Sequence, residues 1–475
     1  MAFRPALRRR AARVLGWSMA LTLIVPVLVA LAWLASNWRD VPARPQPAAL
    51  VLPPPRFDDA SNRFWALAGV RSAPGTDGAQ ATRAEWLRMQ AWALLTHEER
   101  RRGLEQWVAE SERLAAPRGQ AGPSGPPWAC AGEQAACTDQ WIAQAAALAG
   151  QRQAASWGAT CQSLLDGPFE MEEPIARPSR PASPMAPWTG ATACMSWFLS
   201  GAALAHASGD REALLTDMAR ADRLQRAVAQ GAHTLLGQAI AMRMAGRMAD
   251  TAVYFSLRDA TLAAPLAPLL VGWMPPRQRI GRWVAHEAHA QRGAIDDLLI
   301  GCVMPFGVSW PDKLVAEATW PERLNDDIDR WMCRHRIGLQ PELTAQASER
   351  SWLALLDRID ADWPAVVARQ SPALPAWSWR NTIGTVLLAA VGPVWDDYLK
   401  RQADFELHQR IAALALAMQR EGVAKGDRAA WLARQVLLPH ERERITIEEG
   451  GRTIAARGWT PNGLVTNLPR YTWPN

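Results

Sequence analysis

Residues 14–34 (VLGWSMALTLIVPVLVALAWL) are predominantly apolar and contain no charged side chain. At about 1.5 Å rise per residue, a helix of that length crosses the roughly 30 Å of hydrocarbon in a bilayer. A cleavable signal peptide also combines a basic start with an apolar middle, but its apolar region typically ends at about 15 residues. The indoles Trp17 and Trp33 lie near the two ends of the stretch, where the membrane interfaces would be. The pattern therefore predicts a transmembrane anchor over 14–34, with Pro26 a tolerated kink.

Beyond the anchor the period is mostly helical. A helical pattern over 81–115 divides near Thr96, where Glu99 three residues on completes a capping box, and Leu104, Trp107, Val108 and Leu114 share a face after it. Thr138 is placed to cap a helix carrying Trp141, Ile142, Ala145 and Leu148. The clearest signal starts at Thr189. A helix runs through Ala207, a Ser208-Gly209-Asp210 turn follows, and a second helix carries Leu214, Leu215, Met218, Ala221 and Leu224. The small residues around this αα-hairpin suggest one tetratricopeptide-like unit, yet no second copy follows at 34 residues, so a plain hairpin is expected.

Further helices are predicted over 234–263, 277–299, 321–337, 343–359 and 381–420, the last broken at Gly392-Pro393. The apolar run 383–394 is only about a dozen residues long and is read as a buried helix rather than a second span. Near the end the period shortens to two: residues 444–448 and 452–457 alternate around Glu449-Gly450-Gly451 and predict a β-hairpin. The expected fold is mainly α: an N-terminal transmembrane helix, then a multi-helix domain of αα-hairpins, then a small C-terminal β-hairpin.

Composition divides this pattern into a basic arm (1–13), the anchor (14–34), a proline-rich spacer (35–57), a helical domain (58–440) and a β-hairpin with its tail (441–475). The proline-rich spacer should stand the domain off the membrane. A second proline-rich passage, 168–187, is either a boundary inside the domain or a strap across it.

Charge fixes the orientation. Arg4, Arg8, Arg9, Arg10 and Arg13 precede the anchor with no acid among them, which keeps the N-terminus in the cytoplasm and exports the rest. Of 52 Lys and Arg residues, six lie in 1–39, so the remainder is neutral against 46 acids. Without a net basic field the counterion-release term is weak, and no nucleic-acid partner is expected.

All six cysteines, Cys130, Cys137, Cys161, Cys194, Cys302 and Cys333, fall on the exported side. In an oxidising compartment an even count reads as disulfides, and neighbouring pairs in sequence are the expected partners. A zinc site is disfavoured because neither Cys-x-x-Cys nor suitably spaced histidines occur.

Little in the sequence advertises catalysis. His286-Glu287-Ala288-His289 spaces its imidazoles three apart instead of the four a zinc helix needs, so a solvated or capping pair is expected. The acidic pairs Glu172-Glu173, Asp296-Asp297, Asp326-Asp327 and Asp396-Asp397 read as solvated helix faces, unless two of them converge from separate helices as a glycan-cleaving site requires. No nucleophile elbow, phosphate loop or dinucleotide fingerprint is present, and no catalytic, cofactor or metal residue is assigned. The chain has 25 tryptophans. Most, such as Trp107, Trp141, Trp197 and Trp283, have core spacing, whereas Trp128, Trp188, Trp310, Trp377 and Trp379 on loops are the candidates for a binding surface.

Four passages carry a resemblance. They are residues 62–69 (NRFWALAG), residues 164–170 ending in Gly-Pro-Phe-Glu, the Gly209-Asp210 hairpin with 233–238 (HTLLGQ) after it, and 381–384 (NTIG) with Gly392-Pro393 and Tyr398. Together they resemble an uncharacterised family of membrane-anchored, mostly helical envelope proteins of Gram-negative bacteria. The resemblance implies a single-pass inner-membrane protein with its bulk in the periplasm, and implies no catalytic residue. The expectation is thus a binding or scaffold protein, joined to the membrane by one helix, whose partner is another envelope protein or a cell-wall component. The alternative is an envelope hydrolase acting on glycan or peptide with carboxylates from separate helices.

Overall fold

The computed structural model describes residues 24–36, 40–58, 61–72, 76–94, 134–177, 183–272, 274–301, 340–368, 380–459 and 468–474. The chain forms two compact units. One comprises Met1–Gln46, Gln291–Ser351 and Ser371–Pro393; the other comprises Pro47–Ala290, Trp352–Gln370 and Val394–Asn475. The fold is mainly helical with one small antiparallel sheet, as the periodicity predicts.

Among the described residues no helix is long and apolar enough to cross a membrane. The segment predicted to do so is described only as a helix over 24–36, here α1, and residues 14–23 lie outside the described residues. On α1 the side chains of Ile24, Val25, Val27, Leu28, Val29 and Leu31 are 42–58% exposed.

The larger unit is organised on the predicted hairpin. Following short helices α2 (Phe64–Ala68), α3 (Gly78–Leu94), α4 (Gln134–Ala143), α5 (Ala145–Ala154) and α6 (Trp157–Leu165), the hairpin is formed by α7 (Thr189–Ser208) and α8 (Arg211–Gly231). Gly209 closes α7 with φ +75°, a conformation that costs glycine little, and the Asp210 side chain accepts from Ala213 N to start α8. The next helix, α9 (Leu235–Arg258), is capped by Thr234, whose hydroxyl accepts from Gly237 N at 2.9 Å. Met195, Phe198, Leu199, Leu224, Val228, Met248, Val253 and Phe255 from these three helices are at most 2% exposed and form the core. A second cluster of the same unit gathers Leu50, Ile280, Trp283, Trp352, Leu355 and Tyr398.

Cys161 in the middle of α6 and Cys194 in α7 are disulfide-bonded with Cα atoms 5.6 Å apart, the pairing expected from their order. Cys137 is also disulfide-bonded; Cys130, its expected partner, and Cys302 and Cys333 lie outside the described residues.

Several expectations change. Thr138 does not cap a helix: α4 already starts at Gln134, and the buried Thr138 hydroxyl bonds back to Gln134 O at 2.9 Å. A hydroxyl can bond the carbonyl one turn back instead of a cap, and sequence alone does not separate the two. The predicted break at Gly392-Pro393 is absent, because the helix Thr382–Arg420 runs through it. Proline removes one ladder hydrogen bond, and the turns on either side keep theirs. The proline-rich passage 168–187 is a strap within the larger unit, with Phe169, Met171, Ala176 and Ala186 buried, rather than a boundary. The spacer is likewise docked: Leu50 is 0% exposed and Pro53 O accepts from Arg177.

The predicted hairpin is β1 (Ile445–Glu448) with β2 (Thr453–Ala456), in the register Ile445↔Ala456, and Glu449, Gly450 and Gly451 all have positive φ. A third strand, β3 (Tyr471–Thr472), was not predicted and completes the order β1-β2-β3. It is only two residues long and is held by contacts remote in sequence, Thr453 Oγ1 to Thr472 Oγ1 at 3.0 Å and Trp473 N to Arg452 O.

Close packing inside the hairpin gives a paired test. A Cβ added at Gly201 would collide with the Asp217 carboxylate, whereas one at Gly150, in the middle of α5, meets nothing within 4 Å. Gly201→Ala is expected to cost about 1–3 kcal/mol by overpacking. Gly150→Ala should stabilise by about 0.4–1 kcal/mol through the unfolded chain. Unfolding midpoints of the two variants should therefore move in opposite directions.

Candidate functional site

The densest buried polar cluster forms where the 168–187 strap crosses the α8–α9 junction. Glu172 and Glu173, on a segment that is neither helix nor strand, reach different partners. Glu172 Oε1 meets His233 Nε2 at 2.9 Å, and its Oε2 accepts from Arg56 N at 2.6 Å. Glu173 Oε2 accepts from His233 N at 2.7 Å and Thr234 N at 2.8 Å, while its Oε1 accepts from the Thr234 hydroxyl at 2.6 Å. Asn62 bridges the backbone: its Nδ2 donates to Glu172 O and its Oδ1 accepts from Glu172 N and Phe64 N. Glu172, Glu173, His233 and Asn62 are all buried.

These contacts correct the reading of Glu172-Glu173 as a solvated helix face. The pair is neither helical nor solvated, and the prolines at 168 and 174 that flank it are the signal that argued against a helix. Burial raises the carboxyl pKa of Glu172, but the hydrogen bond from His233, the backbone N–H of Arg56 and the charge of His233 outweigh it and hold the group below its ordinary 4.5.

A carboxylate beside an imidazole is also an acid–base pair, but a general base needs an open approach to its substrate. All four carboxylate oxygens here already have partners. The arrangement is a lock that ties the strap, the segment before α2 and the entry to α9 together. Because the folded pKa of Glu172 is depressed, its contribution is present above the ordinary value and is lost as pH falls through the lowered one. Glu172→Gln should therefore flatten the acid limb of stability below 4.5, measured as unfolding midpoints across that range.

Two further locks lie in the same unit. Asp250 Oδ1 takes both His408 Nε2 and the Tyr471 hydroxyl at 2.7 Å, which fastens β3 to the helices. Arg152 donates to Trp197 O and to Ser200 Oγ and stacks 3.8 Å over the Trp197 ring, with Asp217 4.0 Å away. Desolvation lowers the Arg152 pKa to about 10 despite Asp217, and desolvation raises that of Asp217 despite Arg152.

The other sequence candidates are placed as follows. Trp188 is 5% exposed and stands edge-on to Phe64 at 5.1 Å, so it belongs to the core and not to a binding surface. Trp128, Trp310, Trp377 and Trp379 lie outside the described residues, as does Asp326-Asp327. His286 and His289 are half-buried within the helix Pro276–Gly301, and burial, then His286 and Arg177, depress the His289 pKa. Among the described residues no group of three or more His, Cys, Asp or Glu is placed to hold a metal ion.

Residues of the segments that carry the resemblance take part in the first of these locks and in further buried contacts. Asn62 and His233-Thr234 hold the acidic pair, Gln238 Nε2 donates to Ala229 O and Ala232 O, and the Tyr398 hydroxyl donates to Leu235 O at 2.6 Å. Asn381, buried with φ +60°, serves the other unit in the same way through Gln340 N and Thr344. No family model matches the chain, and no curated protein or solved structure does either.

Proposed function

We propose that the chain is a single-pass bacterial inner-membrane protein, N-terminus cytoplasmic, whose helical part works in the periplasm as a binding or scaffold protein. The observation that carries this reading is α1, a helix on which six of the eight large apolar side chains are 42–58% exposed. Such a helix is stable in water only if something apolar covers it. Ten further uncharged residues precede it, and before those comes the arginine arm. A bilayer fits that combination, and the arginine arm favours a cytoplasmic N-terminus. The Cys161–Cys194 disulfide agrees with an oxidising compartment.

The binding role is favoured over an envelope hydrolase by the state of the one fully described acidic pair, Glu172-Glu173, which is occupied internally. The partner is another envelope protein or a cell-wall component. Crosslinking of the full-length tagged protein in living cells tests this. One partner recovered in constant proportion supports the reading, whereas no partner together with turnover of cell-wall fragments by the purified protein would replace it with the hydrolase.

A further inference from the structure

The spacer is expected to be a free stand-off, yet its start is bonded back onto a distant part of the chain. Gln340 Nε2 donates to Ser36 O, the last residue of α1, at 3.1 Å. Four residues later the Asp40 carboxylate accepts from Glu342 N at 2.7 Å and Leu343 N at 3.1 Å. It thereby caps, from a distant part of the chain, the helix Pro341–Ala368. A carboxylate at a helix N-terminus satisfies otherwise orphaned donors and complements the helix dipole. Pro42 O accepts from Gln346 Nε2.

The receiving side is rigid. Gln340 and Thr344 are each 1% exposed, and Asn381 Oδ1 and Nδ2 bond Gln340 N and Thr344 Oγ1 at 2.8 and 2.9 Å. Arg380, an exposed residue, donates to Gln340 Oε1 at 2.9 Å. All of these residues belong to one compact unit.

We infer that this unit is seated directly on the phospholipid headgroups, fixed there by the clamp of Ser36, Asp40, Gln340 and Asn381, instead of hanging on a tether. The inference rests on the reading of α1 as the outer end of a membrane anchor. If the apolar stretch ends near Trp33 at the interface, Ser36 lies at headgroup depth, and a side chain bonded to its carbonyl lies there too. The start of the helix Pro341–Ala368 is then held at the surface, and the Arg380 guanidinium sits at the level of the lipid phosphates, an attractive place for a cation. A free proline-rich spacer of about twenty residues would instead reach roughly 60 Å.

The test uses the full chain in lipid nanodiscs, with a nitroxide attached through a non-natural ketone side chain, which leaves the disulfides untouched. The label takes the place of Arg350, an exposed residue of the same helix whose hydrogen bond, to Gln346 O, stays within that helix. Nickel chelated to the lipid headgroups is the relaxing agent. Strong relaxation is expected in the otherwise native chain, falling about tenfold in Asp40→Ala/Gln340→Ala, because the label's effective concentration at the surface drops once it roams on a tether. Asp40→Asn, which keeps one acceptor oxygen and the side-chain size, should lie between. Equal relaxation with and without the clamp, in protein that stays in the discs, overturns the inference. Protein that washes out of the discs in alkaline carbonate overturns the anchor reading itself, a different failure.

Discussion

Glu173→Ala is expected to be among the most destabilising single changes in the larger unit. The side chain is 2% exposed and accepts three hydrogen bonds, two of them from the backbone N–H groups of His233 and Thr234 at the entry to α9. Removing it leaves those donors without their acceptor at about 1–3 kcal/mol for each buried group. The cap of α9 loosens as well, because Thr234 is the cap residue and its hydroxyl is oriented by Glu173. A total of about 3–5 kcal/mol is expected, which thermal unfolding in detergent should register as a midpoint lower by roughly 5 °C or more. Glu170→Ala, at an exposed position on the same strap, should stay within about 0.5 kcal/mol. If the two variants unfolded together, the lock would have no energetic content.

The second large effect is loss of the Cys161–Cys194 bond. It closes a loop of 33 residues that contains the whole strap. Chain-entropy reasoning gives about 3–4 kcal/mol for a loop of that length. Cys161→Ala/Cys194→Ala should therefore lower the unfolding midpoint, and the strap should become the first segment to exchange its amides and the first to be cut by protease. Both changes act on the same strap and share partners through it, so the combination with Glu173→Ala should fall short of the sum.

What was legible in the sequence follows a physical rule. The α7–α8 hairpin was readable because its determinants are local: a regular apolar period, Gly209 where the backbone must turn left-handed, and Asp210 three residues before the N–H it caps. The β1–β2 hairpin was readable for the same reason. The locks were not readable, since their partners lie 60 residues apart for Glu173 and His233 and 221 apart for Asp250 and Tyr471. Periodicity carries no information about such pairings. The reading of Glu172-Glu173 as solvated failed on a general prior about charged residues, which are seldom buried unless paired; here they are paired. Trp188 failed similarly, because a loop position next to prolines does not reveal that the loop is packed.

The spacer shows the same limit in another form. Proline content predicts an extended, stiff backbone, and residues 40–46 are in neither helix nor strand. Stiffness says nothing about what the backbone touches. Asp40 was the informative residue in the spacer, the first carboxylate of the chain, and its destination is a helix N-terminus some 300 residues away.

The central claim is that the arginine arm and the apolar stretch after it send the rest of the chain outward, and a topology reporter fused after Asn475 in the full-length protein tests it most directly. Alkaline phosphatase, active only after export, should be active at that position, and a fluorescent protein that folds only in the cytoplasm should stay dark. A bright fluorescent fusion with inactive phosphatase would place the helical units inside the cell and contradict the account.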